Sequence, residues 1–347
     1  MKKARILVGA AFASAALAGF GVEKEELRIY TWSDYIAPEM VKRFESANNC
    51  RIVIDTFDSN EAMYARLKAG SAKYDIIMPS SYQISPMEKA GMIKALDHAK
   101  LPNVRKNFDR NVAMYVFDPS FAYSVPYAVT CTGFAYRKDK IGTAPITSWK
   151  VFGTAALKGR MSLLNDMRET IGAGLLSLGF SINSVHPEQI AKAAEVVVGW
   201  KKNVAVFDNE QYKTAIASGE LFVGHGYSSD VMQTILHNEN VGFSLPREGF
   251  AFTFDEMVIA ANSTRADLAH KFIDFCYDPD AAAANMRGIC APMPVAAAFE
   301  RLDSTYRKLL LVDPNTLKNG EVIRDFSDQP NVQKLYTDAW ERIKSAK

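Results

Sequence analysis

From Leu27 onward, short apolar runs alternate with stretches in which apolar residues recur every three or four positions. "LRIYTW", "RIVIDTF" and "YDIIMPS" predict strands, and "APEMVKRFESANN", "SNEAMYARLKAG" and "YQISPMEKAGMI" predict the helices that follow each of them. The punctuation agrees. Pro38 falls in the first turn of the first helix, where a missing N–H costs nothing. Ser59 stands at an N-cap position and Gly70 lies past the end of the second helix. Strand, helix, strand with short joints predicts a mostly parallel sheet covered by helices on both faces. Runs such as Ile76–Ile77–Met78 fit strands buried on both sides.

The pattern changes at Ser124. From there to Ile141 the chain reads as extended, interrupted by Pro126 and Gly133. A second α/β unit starts near residue 132. "GRMSLLND" predicts a strand, "MRETIGAGLLSLGF" and "PEQIAKAAEVVVGWKKN" predict helices, and "YKTAIASG", "ELFVGHGYSS" and "DVMQTILHN" predict helix, strand, helix. A second extended run, "GFAFTFDEMVIAAN", is followed by helices, and "NVQKLYTDAWERIKSAK" is amphipathic. Two extended runs flanking a unit predict a domain inserted into, or exchanged with, the first, with two strands as hinge.

Size and charge narrow the function. The chain has 347 residues, 48% of them hydrophobic, enough for two cores at ~100–200 residues per domain. Its 41 basic and 39 acidic residues leave a formal charge of +2, with no footprint for nucleic acid and no basic cluster for an anionic membrane. Residues 1–23 read as a signal peptide: Lys2, Lys3 and Arg5 precede an apolar stretch too short to span a bilayer, which takes ~20 residues. Ala13–Ser14–Ala15 and Ala16–Leu17–Ala18 both fit a cleavage site. Leu17–Ala18–Gly19 begins like a lipoprotein box, but Phe20 stands where the lipidated Cys belongs, so a membrane anchor would need a Cys at the mature start that is not written here. The expectation is export to the periplasm. The four Cys, at 50, 131, 276 and 290, form no C-x-x-C pair. They read as isolated buried thiols, with a Cys276–Cys290 bridge as the other option.

Catalytic and cofactor signatures do not appear. There is no phosphate-binding glycine loop, no H-E-x-x-H and no G-x-S-x-G, and the five His are scattered. His225 follows a strand but has no partner at readable spacing, so the expectation is no enzyme, no metal and no cofactor. In an open parallel sheet, ligands bind at the carboxyl ends of strands. Those ends hold Trp32 and Tyr35; Ser80, Ser81 and Tyr82; Asp166 and Glu169; Tyr227 and Asp230; and, in the second extended run, Thr253, Asp255 and Glu256. Each has a plainer reading. Asp166 with Glu169 resembles a capping box, Asp230 suits a first helical turn, Asp34 and Ser80 could cap, and Trp32 could be core. Caps alone would not bring Trp and Tyr with them. Aromatic faces and carboxylates, with Arg168 the one cation nearby, suit an organic cation: ring faces attract ammonium, and carboxylates take its N–H donors. Asp166, Glu169, Asp230 and Asp255 would balance a di- or triamine. An amino acid would need Arg168 for its carboxylate. A ferric ion would need adjacent tyrosines.

"IYTWSDYIAPEM", "DSNEAMYARL", "YDIIMPSSY", "NDMRE" and "GYSSDV" together resemble the periplasmic spermidine/putrescine-binding proteins of ABC importers, in order and over nearly all of Leu27 to the C-terminus. The resemblance implies an α/β, two-lobe type II periplasmic-binding-protein fold, each lobe a mostly parallel sheet flanked by helices, with a two-strand hinge. It implies a first lobe of residues 24–131 and 254–299 and a second of 132–253 and 300–347. It places an aromatic box on Trp32, Tyr35, Tyr82 and Tyr227, a serine on Ser80 and amine-binding carboxylates on Asp166, Glu169 and Asp255. Asp230 matches an Asp of putrescine-preferring members. The implied partners are a polyamine ligand and the permease and ATPase of an importer, with the chain itself a monomer; a polyamine sensor, or a receptor for another small cationic or zwitterionic solute, is the alternative. The chain departs from the pattern at Thr253, where an aromatic is expected and Phe252 and Phe254 could partly substitute, at Ala291, where a Tyr is expected, and near Ile323, where a Gln is expected. Those losses, with Asp230, favour putrescine over spermidine.

Overall fold

The computed structural model describes residues 24–70, 73–310 and 318–346; the secretory segment expected over residues 1–23 lies outside them. Ten strands are found among the described residues: β1 (Glu25–Trp32), β2 (Cys50–Phe57), β3 (Ile76–Ile77), β4 (Ser124–Arg137), β5 (Met161–Leu163), β6 (Val206–Phe207), β7 (Val223–Tyr227), β8 (Val241–Ser244), β9 (Phe250–Ile259) and β10 (Gly320–Val322). They run in the order β2-β1-β3-β9-β4-β7-β5-β6, with β10 on β9 and β8 on β4.

The first βαβ units form as the periodicity predicts. β1 pairs in parallel with β2 and β3, and helices Pro38–Asn48 and Asn60–Lys68 connect them. Ser59 caps the second helix by accepting the Ala62 N–H. The alternation along β1 feeds two separate apolar clusters. Leu27 and Ile29 pack with Phe44, Phe272 and Ile273, while Tyr30 packs with Phe57, Met63 and Tyr74, so helices cover both faces. Burying such large side chains is the main favourable term here, ~1.5–3 kcal/mol for each fully buried Leu, Ile or Phe. One predicted helix is shorter than its pattern. "YQISPMEKAGMI" gives a 3-10 turn at Ser81–Gln83 and a helix only over Ile84–Lys89, because Gly91 takes φ +65°, which ends the turn.

The sheet is parallel at both flanks and antiparallel where the two long extended runs meet. β4 and β9 lie antiparallel to each other, and β9 is antiparallel to β3. β4 changes partner along its length: Ser124–Cys131 pair with β9, and Thr132–Arg137 pair with β7 and β8. A register shift at Pro126/Ala128 absorbs the proline, which has no N–H for the ladder. Beyond it a second core gathers Phe134, Trp149, Phe152 and Leu175. Helices Met167–Ser177 and Pro187–Lys201 pack closely there: a Cβ on Gly174 would come 2.9 Å from the Ala193 carbonyl, so glycine permits the approach. Leu302 and Leu310 pack with the first core. Ile323, Phe326 and the C-terminal helix Pro330–Ser345 pack with the second through Tyr336 and Ile343. All four cysteines are free thiols, which realises the isolated-thiol reading and not the Cys276–Cys290 bridge. No helix among the described residues is long and apolar enough to cross a membrane.

Candidate functional site

The strand ends converge on one cleft between the two halves of the sheet, about 630 Å³ of atom-free space counting its mouth. Trp32, Tyr35, Ser80, Tyr82, Asp166, Glu169, Tyr227, Asp230 and Asp255 all line it. Trp32 and Tyr35 come from the end of β1 and the turn after it, Ser80 and Tyr82 from the turn after β3. Asp166 and Glu169 open the helix after β5, Tyr227 ends β7 and Asp230 sits in the first turn of the helix Ser228–Ile235. Asp255 comes from β9 at the floor.

The lining holds six carboxylates (Asp58, Asp166, Glu169, Glu210, Asp230 and Asp255) and no Lys or Arg. Asp255 is 5% exposed. It accepts the Tyr35 hydroxyl at 2.6 Å on one oxygen and the Ser80 hydroxyl at 2.9 Å on the other. Burial pushes its pKa up to about 6, against the pull of those two donors. Glu169 accepts the Thr132 hydroxyl at 2.7 Å. Burial, and then the neighbouring Asp166, push it up to about 8. Asp166 has two jobs: one oxygen accepts the backbone N–H groups of Arg168 and Glu169, and the other faces the Tyr227 hydroxyl at 3.5 Å. Asp166 thus caps its helix and lines the cleft at once, while the Glu169 side chain turns to Thr132 and does not complete a capping box. Burial raises it as well, despite those N–H donors. Asp230 accepts the Tyr212 hydroxyl at 2.9 Å and is raised by burial. Buried acids in a lining that has no Lys or Arg of its own suit a positively charged ligand.

The rings are held from behind. Tyr35 lies 5.5 Å from Tyr127, whose hydroxyl donates to the Tyr35 carbonyl and accepts from Asn285. Trp32 packs edge-on against Phe57 at 4.4 Å, and its indole N–H is buried with no partner among the described residues. Tyr227 donates its backbone N–H to the Tyr212 hydroxyl. Ser80, offered above as a cap, makes no side-chain cap and gives its hydroxyl to Asp255 instead.

Other expectations need correction. Phe252 and Phe254 cannot stand in for an aromatic at Thr253. The two-residue period of β9 turns Thr253 and Asp255 to the cleft and sends both Phe into a cluster with Val129 and Phe250. Ala291 is buried in the first core, away from the lining, whereas Ile323 does line it. Arg168 does not reach the cleft. Its guanidinium binds the Arg324 carbonyl and Asn183, and lies 4.6 Å over Phe326 and 4.8 Å over Tyr336. His225 is fully buried behind Glu169, 4.0 Å away, and burial lowers its pKa to about 3. It is a neutral core side chain.

Several polar groups of the lining were not anticipated, Asp58, Asn209 and Glu210 among them. Asn60 bridges Ser80 and Tyr82, donating to their hydroxyls at 3.2 and 2.8 Å. Thr130 brings β4 to the lining, and Thr132 behind it donates to Glu169. Asn60 also follows a strand, so reading the end of β2 as the others were read would have found it.

The chain matches the family of bacterial extracellular solute-binding proteins over residues 39–305. It is 33% identical to the putrescine/cadaverine-binding protein of Pseudomonas aeruginosa, covering 96% of this chain and 97% of that one. It is 29% identical to the spermidine/putrescine-binding periplasmic protein of Escherichia coli, covering 99% and 98%. A solved Listeria monocytogenes protein assigned to spermidine/putrescine ABC transport superposes with a TM-score of 0.86 at 30% identity, covering 93% and 100%.

Proposed function

The chain belongs to the bacterial extracellular solute-binding proteins, and from that premise we propose that its cleft captures polyamines and delivers them to the permease and ATPase of an ABC importer. It is a binding protein and catalyses no reaction, as its relatives are binding proteins. The observation that carries the ligand class is the lining: six carboxylates beside Trp32, Tyr35, Tyr82 and Tyr227, with no Lys or Arg among them. Ammonium groups gain ~0.5–2 kcal/mol over each ring face and more from charge-assisted hydrogen bonds to the acids. One ammonium sits with Asp255 and Tyr35, the other with Asp166, Glu169 and Tyr227, and the methylene chain crosses the rings between them. Ile323 offers no hydrogen-bonding group and Thr253 no ring to stack on a longer chain, so putrescine is preferred to spermidine. The protein works in the periplasm as a monomer and binds no nucleic acid. The two cores act as lobes that close on the ligand, which favours the closed arrangement because it touches both.

Native mass spectrometry of the protein purified without added amine is expected to show bound diamine, and calorimetry a putrescine affinity at least equal to that for spermidine. No heat with either amine would refute the ligand class. Spermidine bound tenfold or more tightly would refute the preference. Putrescine is also expected to change the intrinsic fluorescence, and Trp32→Phe to remove most of that change; an undiminished response would place Trp32 away from the ligand.

A further inference from the structure

Outside the lining, at one end of the cleft, stands a cation. Lys213 is the second residue of the helix Tyr212–Ser218. Its ammonium lies 3.0 Å from Asp34, 3.7 Å from Asp230 and 3.9 Å from Glu210, and its side chain is 21% exposed. Burial alone would lower its pKa, but Asp230, Asp34 and Glu210 outweigh burial, so it stays charged. The same helix turn also supplies the Tyr212 hydroxyl to Asp230. Asp34 belongs to the turn after β1, Lys213 to the other half of the molecule. The contact therefore spans the cleft mouth, near the Asn209 amide that donates to the Asp58 carbonyl at 2.9 Å.

Resting on the polyamine reading, we infer that Lys213 is a specificity-determining residue: a tethered ammonium that occupies the Asp230 end of the cleft and limits the ligand to two charges. Of the lining acids, Asp230 and Glu210 already face a positive charge supplied by the protein. Asp255 does not, and Asp166 and Glu169 feel only Arg168, whose guanidinium is committed to the Arg324 carbonyl and Asn183. A diamine needs only these three acids. The third ammonium of a triamine has to approach Asp230 against a like charge at close range. It also has to displace a competitor that pays no association entropy, being part of the chain. Rejection of the longer ligand by a repulsive group is a common route to selectivity.

Calorimetry with putrescine and with spermidine, at one ionic strength, on wild type, Lys213→Met and Lys213→Arg tests this. Lys213→Met is expected to shift the ratio of the two dissociation constants at least tenfold towards spermidine, and Lys213→Arg to keep the wild-type ratio. If the Met variant does not melt cooperatively, Lys213→Gln, one atom shorter, which loses the charge and keeps a hydrogen-bonding end, takes its place. A ratio within twofold of wild type, including equal loss of both ligands, overturns the inference and leaves Lys213 a strut between the halves. A wild type that binds neither amine refutes the functional reading itself, an outcome distinct from an unchanged ratio.

Discussion

Asp255→Asn is expected to weaken putrescine binding by about 30-fold to several-thousand-fold, the ~2–5 kcal/mol that follows when one partner of a buried charge pair is neutralised. The side chain keeps its shape. Its carbonyl oxygen can still accept the Tyr35 hydroxyl that now donates at 2.6 Å, and its amide can donate to the Ser80 oxygen. The fold has no reason to suffer. Because burial raises the Asp255 pKa to about 6, the ionised form costs the empty protein stability above that pH, and the neutral amide removes the cost. The melting temperature of the empty variant at pH 8 is therefore expected to equal or exceed that of wild type. Calorimetry and thermal melts measure the two quantities side by side. Affinity close to wild type would end the assignment of Asp255 as an ammonium partner.

Affinity is expected to fall on the order of tenfold to a hundredfold between pH 8 and pH 6. Glu169 titrates at about 8 in the empty cleft, held up by burial and by Asp166, with Thr132 opposing. The ligand's ammonium groups remain charged, with pKa values near ~10. A cation binds the ionised carboxylate, so binding releases a proton over this range, and each such proton contributes about one decade of affinity per pH unit. Asp255, at about 6, adds a second dependence below that pH. Calorimetry in buffers of different ionisation enthalpy counts the protons released; zero release at pH 7 would contradict the scheme. Stability of the empty protein runs the other way. Glu169 and Glu256 are both raised by burial from 4.5 to about 8. Their contribution is fully present below pH 4.5 and is lost as pH rises through 8. His225, lowered to about 3, contributes stability above 6.5 and loses it only in acid. Between pH 6.5 and 8 the empty protein therefore weakens while the complex tightens, and the rise in melting temperature on adding putrescine should grow with pH.

Much of this site can be read from the sequence because the strands are short and their ends are marked. A strand whose apolar run stops at a Trp, Ser or Asp announces which residues leave the sheet, and in an α/β sheet they leave at one edge. What escaped has an equally physical cause. Whether Phe252 or Thr253 faces the cleft depends on the register of β9, and a shift of one residue exchanges the faces. Nothing in the local pattern fixes that register; the pairing of Thr130 with Thr253 does. Arg168 lies one turn from two cleft acids in sequence, yet Phe326 and Tyr336, far along the chain, draw its guanidinium away. Lys213 is an unremarkable helix position until Asp34 folds over it from the other half.

β4 passes from one half of the sheet to the other between Cys131 and Thr132; beside that crossing Thr130 lines the cleft and Thr132 holds one of its acids, Glu169. The fulcrum and the jaws of this molecule are thus neighbours. In the closure proposed above, with the halves rotating about that strand, groups on the floor, Asp255 among them, would travel little, while those near the mouth, such as Asp34 and Lys213, would sweep a wide arc. An arriving solute would meet a grip whose deepest point is already set, and the work of enclosing it would fall on the parts that have furthest to swing.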